Sequence, residues 1–114
     1  NHIKACGSIR AAVHAARKRA LGRWIEVEVE SLEELREALD ARPDRILLDN
    51  FDEATLVEAV ALNLSDAILL EASGGIELSN IGRIAKTGVD YISVGAITKS
   101  VRAIDLSFLL DEAL

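Results

Sequence analysis

The sequence predicts an α/β fold of parallel strand–helix repeats, with four strands and about five helices, curved as part of a β/α barrel. Three observations predict it. Strand-like and helix-like segments alternate along the chain with short connections, the pattern of a parallel sheet with crossover helices. Residues 67–70, Ala-Ile-Leu-Leu, form an unbroken apolar run of the kind buried on both faces of such a sheet. Residues 24–30, Trp-Ile-Glu-Val-Glu-Val-Glu, alternate strictly, placing Ile25, Val27 and Val29 on one face and Glu26, Glu28 and Glu30 on the other.

Alternation alone leaves two architectures, a doubly wound open sheet and an arc of a barrel. The glutamate strand favours the arc. A central strand of a doubly wound sheet is covered on both faces, where three unpaired carboxylates would be very costly. The inner face of a barrel, near its C-terminal mouth, accepts polar groups. The same strand at a sheet edge would also be tolerated. Active-site barrels use about eight strands, so four strands make about half of one.

The elements follow in order. Ser8 caps a helix over residues 9 to about 21, with Ile9, Val13, Ala16 and Ala20 on one face. Arg17, Lys18 and Arg19 occupy its last turns, where the helix dipole favours cations, and Gly22 stops it. The glutamate strand comes next. Ser31 and Glu34 form a capping box for a helix that turns Leu32, Leu35 and Leu39 inward. Pro43 separates that helix from a strand over 45–49. Asp52 caps a helix over 53 to about 63 that would bury Leu56, Val57, Val60 and Leu64. After the strand at 67–70, a helix from about 79 to 87 would bury Ile81, Ile84 and Ala85 before Gly88 closes it. Residues 90–95 form the last strand, and 104–114 read as a final amphipathic helix with Leu106, Leu109 and Leu110 on its apolar side.

Composition bounds the function. The 114 residues are half hydrophobic, enough for one domain with a real core. The net charge of −6 argues against non-specific nucleic-acid binding. No run approaches the roughly 20 apolar residues of a membrane helix, and no signal peptide is visible. Cys6 is the single cysteine, so no internal disulfide forms and the cytoplasm is the expected compartment. The start, Asn-His-Ile-Lys, and the lack of any Met lead to the expectation of a fragment or a processed chain.

Two constellations carry chemistry. Glu28, Asp49 and Glu71 fall at or near the C-terminal ends of three successive strands. Such a rim can hold Mg²⁺, directly or through water, or accept hydrogen bonds from sugar hydroxyls. Ser73-Gly74-Gly75 and Gly95-Ala96 follow the last two strands. Glycines let backbone N–H groups approach an anion, and the loops after the last strands are a frequent phosphate site in barrels. Lys99, four residues past Gly95, can add positive charge. Cys6 has no identifiable base partner, and His14, on the first helix, reads as a surface or packing residue.

Five motifs occur together and in order: Asn1-His2-Ile3 with Gly7-Ser8-Ile9; Glu26-Val-Glu-Val with Ser31-Leu-Glu-Glu-Leu; Leu47-Leu-Asp-Asn-Phe51; Leu70-Glu-Ala-Ser-Gly-Gly75; and Gly88-Val-Asp-Tyr-Ile-Ser-Val-Gly-Ala96, continued by Ile104-Asp-Leu-Ser107. Over essentially the whole chain this resembles the quinolinate phosphoribosyltransferases. The resemblance implies phosphoribosyl transfer from phosphoribosyl pyrophosphate to quinolinate, giving nicotinate mononucleotide, CO2 and pyrophosphate with Mg²⁺, in NAD synthesis. It implies a homodimer or larger assembly, with residues 1–114 as the C-terminal portion of the barrel domain. The N-terminal α/β sandwich and the first barrel strands would be absent. Glu28 and Asp49 would be the catalytic acids facing the ribose and the pyrophosphate–Mg²⁺ region. Ser73, Gly74, Gly75, Gly95 and Ala96 would bind the phosphate of the nucleotide, with Lys99 beside it. The cationic residues that hold the quinolinate carboxylates in this family lie upstream of the position matching Asn1. Their absence accounts for the acidic balance, and it leaves a second expectation: a folded, inactive half-barrel that self-associates through its open edges.

Overall fold

A computed structural model describes residues 1–64 and 67–110. Two helices open the chain, α1 (His2–Cys6) and α2 (Ile9–Arg19). Then come β1 (Glu26–Val29), α3 (Leu32–Ala41), β2 (Arg45–Asp49), α4 (Glu53–Leu62), β3 (Leu69–Ser73), α5 (Ile81–Ile84), β4 (Tyr91–Ile92) and α6 (Ala96–Lys99). A 3-10 turn over Ala85–Thr87 extends α5.

The strands pair in parallel in the order β1-β2-β3-β4, and the sheet is not closed. Chain order equals spatial order, so there is no point at which the winding reverses. One apolar cluster joins Ile9 and Val13 of α2, Leu35 and Ala38 of α3, Leu56 and Ala59 of α4, and Ile84 of α5 to Val27, Val29, Ile46, Leu48, Leu70 and Ala72 of the strands. The helices therefore cover one face of the sheet. The other face carries Glu26, Glu28, Arg45, Leu47, Asp49, Leu69, Glu71 and Tyr91, the alternate residues of the same strands. This is a singly wound arc, as expected, and not a doubly wound sheet; the glutamate strand lies at its edge, the other position the sequence left open.

The predicted caps account for the helix starts. Ser8 Oγ accepts from Ala11 N, Ser31 Oγ from Glu34 N, and Asp52 Oδ1 from Thr55 N at 2.8 Å. Each satisfies one of the N–H groups that a helix start leaves unpaired. The helix expected from 79 begins instead at Ile81. Asn80 accepts from Glu77 N and donates to Gly75 O, so a turn occupies the preceding residues. The buried stripe of α4 is Leu56 and Ala59; Val57 is half exposed and Leu64, beyond the Asn63 cap, is exposed. Ala85 is also exposed.

The final amphipathic helix is a correction. Residues 101–110 have no regular structure and are exposed, so the helix expected over 104–114 is absent from its described part. Residues 111–114 lie outside the described residues. Ile104, Leu106, Phe108 and Leu110 also follow a period of two, so the pattern does not single out a helix. All four are more than four-fifths exposed, and a short helix without tertiary packing of its apolar face is not held.

Candidate functional site

The strand ends that follow Val29, Asp49, Ser73 and Ile92 lie side by side at one end of the sheet. On the β1–β2 side, one carboxylate oxygen each from Glu28, Glu30 and Asp49 come within 4.8 Å of one another. Glu28 and Glu30 share a face because strand side chains alternate. The capping box also ties down the exit of β1, since Glu34 Oε2 accepts from Glu30 N at 2.8 Å. Asp49 is steadied by Asn50 Nδ2, which donates to its Oδ2 at 2.7 Å. Three hard oxygen donors at this spacing fit a divalent cation such as Mg²⁺, which is held by one or two carboxylates and completes its octahedron with water.

On the β3–β4 side lies an open cleft of about 440 Å³. Ser73, Gly74, Gly75, Gly95, Ala96 and Lys99 line it, together with Asp49, Asn50 and Ser93. Gly74 has φ +91° and Gly75 φ +59°, a left-handed pair that glycine adopts without strain. Gly74 is further confined, because a Cβ there would lie 2.2 Å from Asn50 Oδ1 and 2.8 Å from Asn50 N. Asn50 itself has φ +57°, tolerated by Asn, and its N–H donates to Ser73 O at 2.9 Å. The ends of β2 and β3 are thereby locked together. Lys99 folds back over Gly95: a Cβ on Gly95 would sit 3.9 Å from Lys99 Nζ. Among the described residues lining the cleft, Lys99 is the one cation.

The acid cluster and the cleft meet at Asp49, which belongs to both. Glu71 is placed differently from the expectation. It is not at the rim but in the middle of β3, opposite Leu47 and Tyr91, and only 7% exposed. Its carboxylate takes a bond from Arg45 and another from the Ser93 hydroxyl. Burial pushes this carboxyl up, but the Ser93 hydroxyl and the Arg45 guanidinium outweigh burial and leave it below its ordinary value. Arg45 is itself held between Trp24 and Tyr91, 5.6 and 4.4 Å from the ring centres.

Sequence reasoning passed over Glu30, Asn50 and Ser93 as site residues. The alternation of β1 already put Glu30 on the face of Glu28. Asn50 follows a strand-end acid and is a residue type that accepts positive φ. Ser93 shows no sequence signal, since its role depends on the register of β4. A larger hollow, about 700 Å³, lies where Arg17 binds both oxygens of Asp44 at the opposite end of the sheet. Asp44 also takes Ile25 N, so these polar groups satisfy one another.

A family model for the quinolinate phosphoribosyl transferase C-terminal domain matches residues 1–109. The chain belongs to this family. Its relatives include the carboxylating nicotinate-nucleotide pyrophosphorylase of Mycobacterium leprae, 45% identical over 108 residues, which cover 93% of this chain and 38% of that protein. The human protein of the same name is 38% identical over 113 residues, covering 96% of this chain and 38% of its own. A solved nicotinate-nucleotide pyrophosphorylase from Francisella tularensis superposes with a TM-score of 0.84 at 48% identity, over 94% of this chain and 38% of that one. The chain thus spans about two-fifths of the length of the family members it matches. Among the described residues, no helix is long and apolar enough to cross a membrane.

Proposed function

We propose that this chain is the phosphoribosyl-holding part of a quinolinate phosphoribosyltransferase. The complete enzyme would transfer the phosphoribosyl group from phosphoribosyl pyrophosphate to quinolinate, releasing pyrophosphate and CO2 and leaving nicotinate mononucleotide. The observation that carries this reading is the junction at Asp49 of an acid cluster and a glycine-lined cleft. A phosphoribosyl pyrophosphate needs both: N–H and hydroxyl donors for the 5-phosphate, and acids for the ribose hydroxyls and the metal on the pyrophosphate.

Ser73, Gly74, Gly75, Gly95 and Ala96 hold the 5-phosphate, with Lys99 beside it. Glu28 and Asp49, joined by Glu30, face the ribose and would hold Mg²⁺, which would supply positive charge toward the pyrophosphate leaving group. The acids stabilise the positive charge that develops on the ribose as that bond breaks, so no protein nucleophile is required. Glu71 acts on this site through Ser93 and not at the rim. The lining of the cleft supplies one cation for a strongly anionic pair of substrates, so the groups that hold the quinolinate carboxylates come from outside these residues. A homodimer or larger assembly working in the cytoplasm supplies them in this reading.

The open sheet, with two unpaired edges among the described residues, supports a second reading of these residues by themselves, a half-barrel that folds and retains phosphate binding without turnover. Both are tested by assaying nicotinate mononucleotide formation with the 114-residue chain and with a complete enzyme carrying these residues. The 114-residue chain is expected to be inactive. In the complete enzyme, Ser73→Ala is expected to raise KM for phosphoribosyl pyrophosphate more than KM for quinolinate, and Asp49→Asn to lower kcat with the fold intact. Equal effects on both substrates, or an unchanged rate in Asp49→Asn, would overturn the assignment.

A further inference from the structure

The β4 wall of the cleft carries a hydroxyl whose proton is already placed. Ser93 is exposed in the cleft, and its Oγ is bonded to Glu71 Oε1. The partner oxygen of Glu71 is bound by Arg45, which also faces Glu26 at 3.4 Å and stacks on Tyr91. An ionised carboxylate beside a guanidinium only accepts hydrogen bonds, so Ser93 is the donor. A serine hydroxyl has one proton and two lone pairs. With the proton turned down to Glu71, Oγ offers the cleft lone pairs alone. Those repel a phosphate oxygen and accept from an O–H group.

We propose that Ser93 is the cleft's acceptor for a sugar hydroxyl, and that Glu71, fixed by Arg45, is the positioning residue that keeps it an acceptor. This rests on the phosphoribosyl reading above. The cleft then has distinct parts. Its donors are Ser73, the Gly74-Gly75 turn and the Gly95–Lys99 segment, and its acceptors are Asp49 at the end of β2 and Ser93 just after β4, on either side of β3. A sugar phosphate enters with its phosphate toward the glycine turns and a hydroxyl toward Ser93.

Calorimetric titration of the complete enzyme with inorganic phosphate and with ribose 5-phosphate separates donors from acceptors. Ser93→Ala is expected to weaken ribose 5-phosphate roughly fivefold, the loss of about one hydrogen bond, while inorganic phosphate is bound as before. Ser93→Thr, which keeps the hydroxyl, is expected to restore ribose 5-phosphate. Glu71→Gln gives Ser93 an amide N–H to accept from, so its proton is free to turn into the cleft. Inorganic phosphate is then expected to bind at least as tightly while ribose 5-phosphate weakens. Should Glu71→Gln fail to fold, the two Ser93 variants carry the test. Equal weakening of both ligands in Ser93→Ala, or unchanged ribose 5-phosphate binding, would overturn the acceptor role alone. Failure of the unsubstituted enzyme to bind either ligand would overturn the phosphoribosyl reading and this inference with it.

Discussion

Gly74 shows how little room the cleft leaves at single residues. Any side chain there meets both the backbone and the amide of Asn50, on a backbone with φ +91° that L-residues rarely adopt. Gly74→Ala is expected to cost about 1–3 kcal/mol from strained backbone before the clash is counted. Urea denaturation checks it, and a loss of less than about half a kcal/mol would contradict the packing. Glu71 gives a pH signature. Its native carboxyl lies below the unfolded value, so its contribution is complete above the unfolded value of about 4.3 and is lost as pH falls through the lowered native one. Stability measured against pH should therefore fall less steeply on the acid side in Glu71→Gln than in the parent. The glycine turn is legible in the sequence because Ser-Gly-Gly after an apolar run has few other readings. The depth of Glu71 is not. The apolar run stops at Leu70, whereas the strand continues to Ser73, so the residue that looks terminal lies in the middle.

The elements were legible where local chemistry specifies them. The Ser31–Glu34 box starts α3, and its glutamate also binds the last residue of the β1 exit, Glu30. Ser31→Ala is expected to cost about 1 kcal/mol, as N-cap removals do. It should also loosen the acid cluster, visible as weaker Mg²⁺ binding by titration in the same variant; unchanged stability would remove the cap from the account. The described part of the segment from 104 failed as a helix because periodicity reports an apolar face without saying what covers it. Leu106, Leu109 and Leu110 fit a helical stripe, and Ile104, Leu106, Phe108 and Leu110 fit a strand, while the chain's own core reaches neither. Leu64 fails for a related reason: it follows the cap of α4, where the helical stripe no longer applies.

At the scale of the molecule, the alternation of glutamates pointed to the arc, but β1 is an edge strand, where a polar face is tolerated in either architecture; what excludes a doubly wound sheet is the face of β2 and β3 that no described helix covers. Register could not be chosen in the same way, since nothing in one strand states its offset from the next. The arc has two unpaired edges among the described residues, β1 and the short β4. Trp24 and Tyr91, 65% and 45% exposed, lie on the uncovered side. The chain by itself is expected to sediment as a dimer or larger species, and a clean monomer at micromolar concentration would show that the edges are protected.

The sequential strand order also makes the site a ruler. Neighbouring strands stand about 4.8 Å apart, and the groups they present change from one strand to the next. Acids stand at the ends of β1 and β2, and the glycine turns that the proposed function gives to the phosphate follow β3 and β4. From the acid cluster to the glycine turn is one to two such steps, about 5–10 Å. A molecule with charge at only one end engages one end of this scale. A molecule with a sugar between two anionic groups reaches both, so under the proposed function it is selected by length before any single contact recognises it.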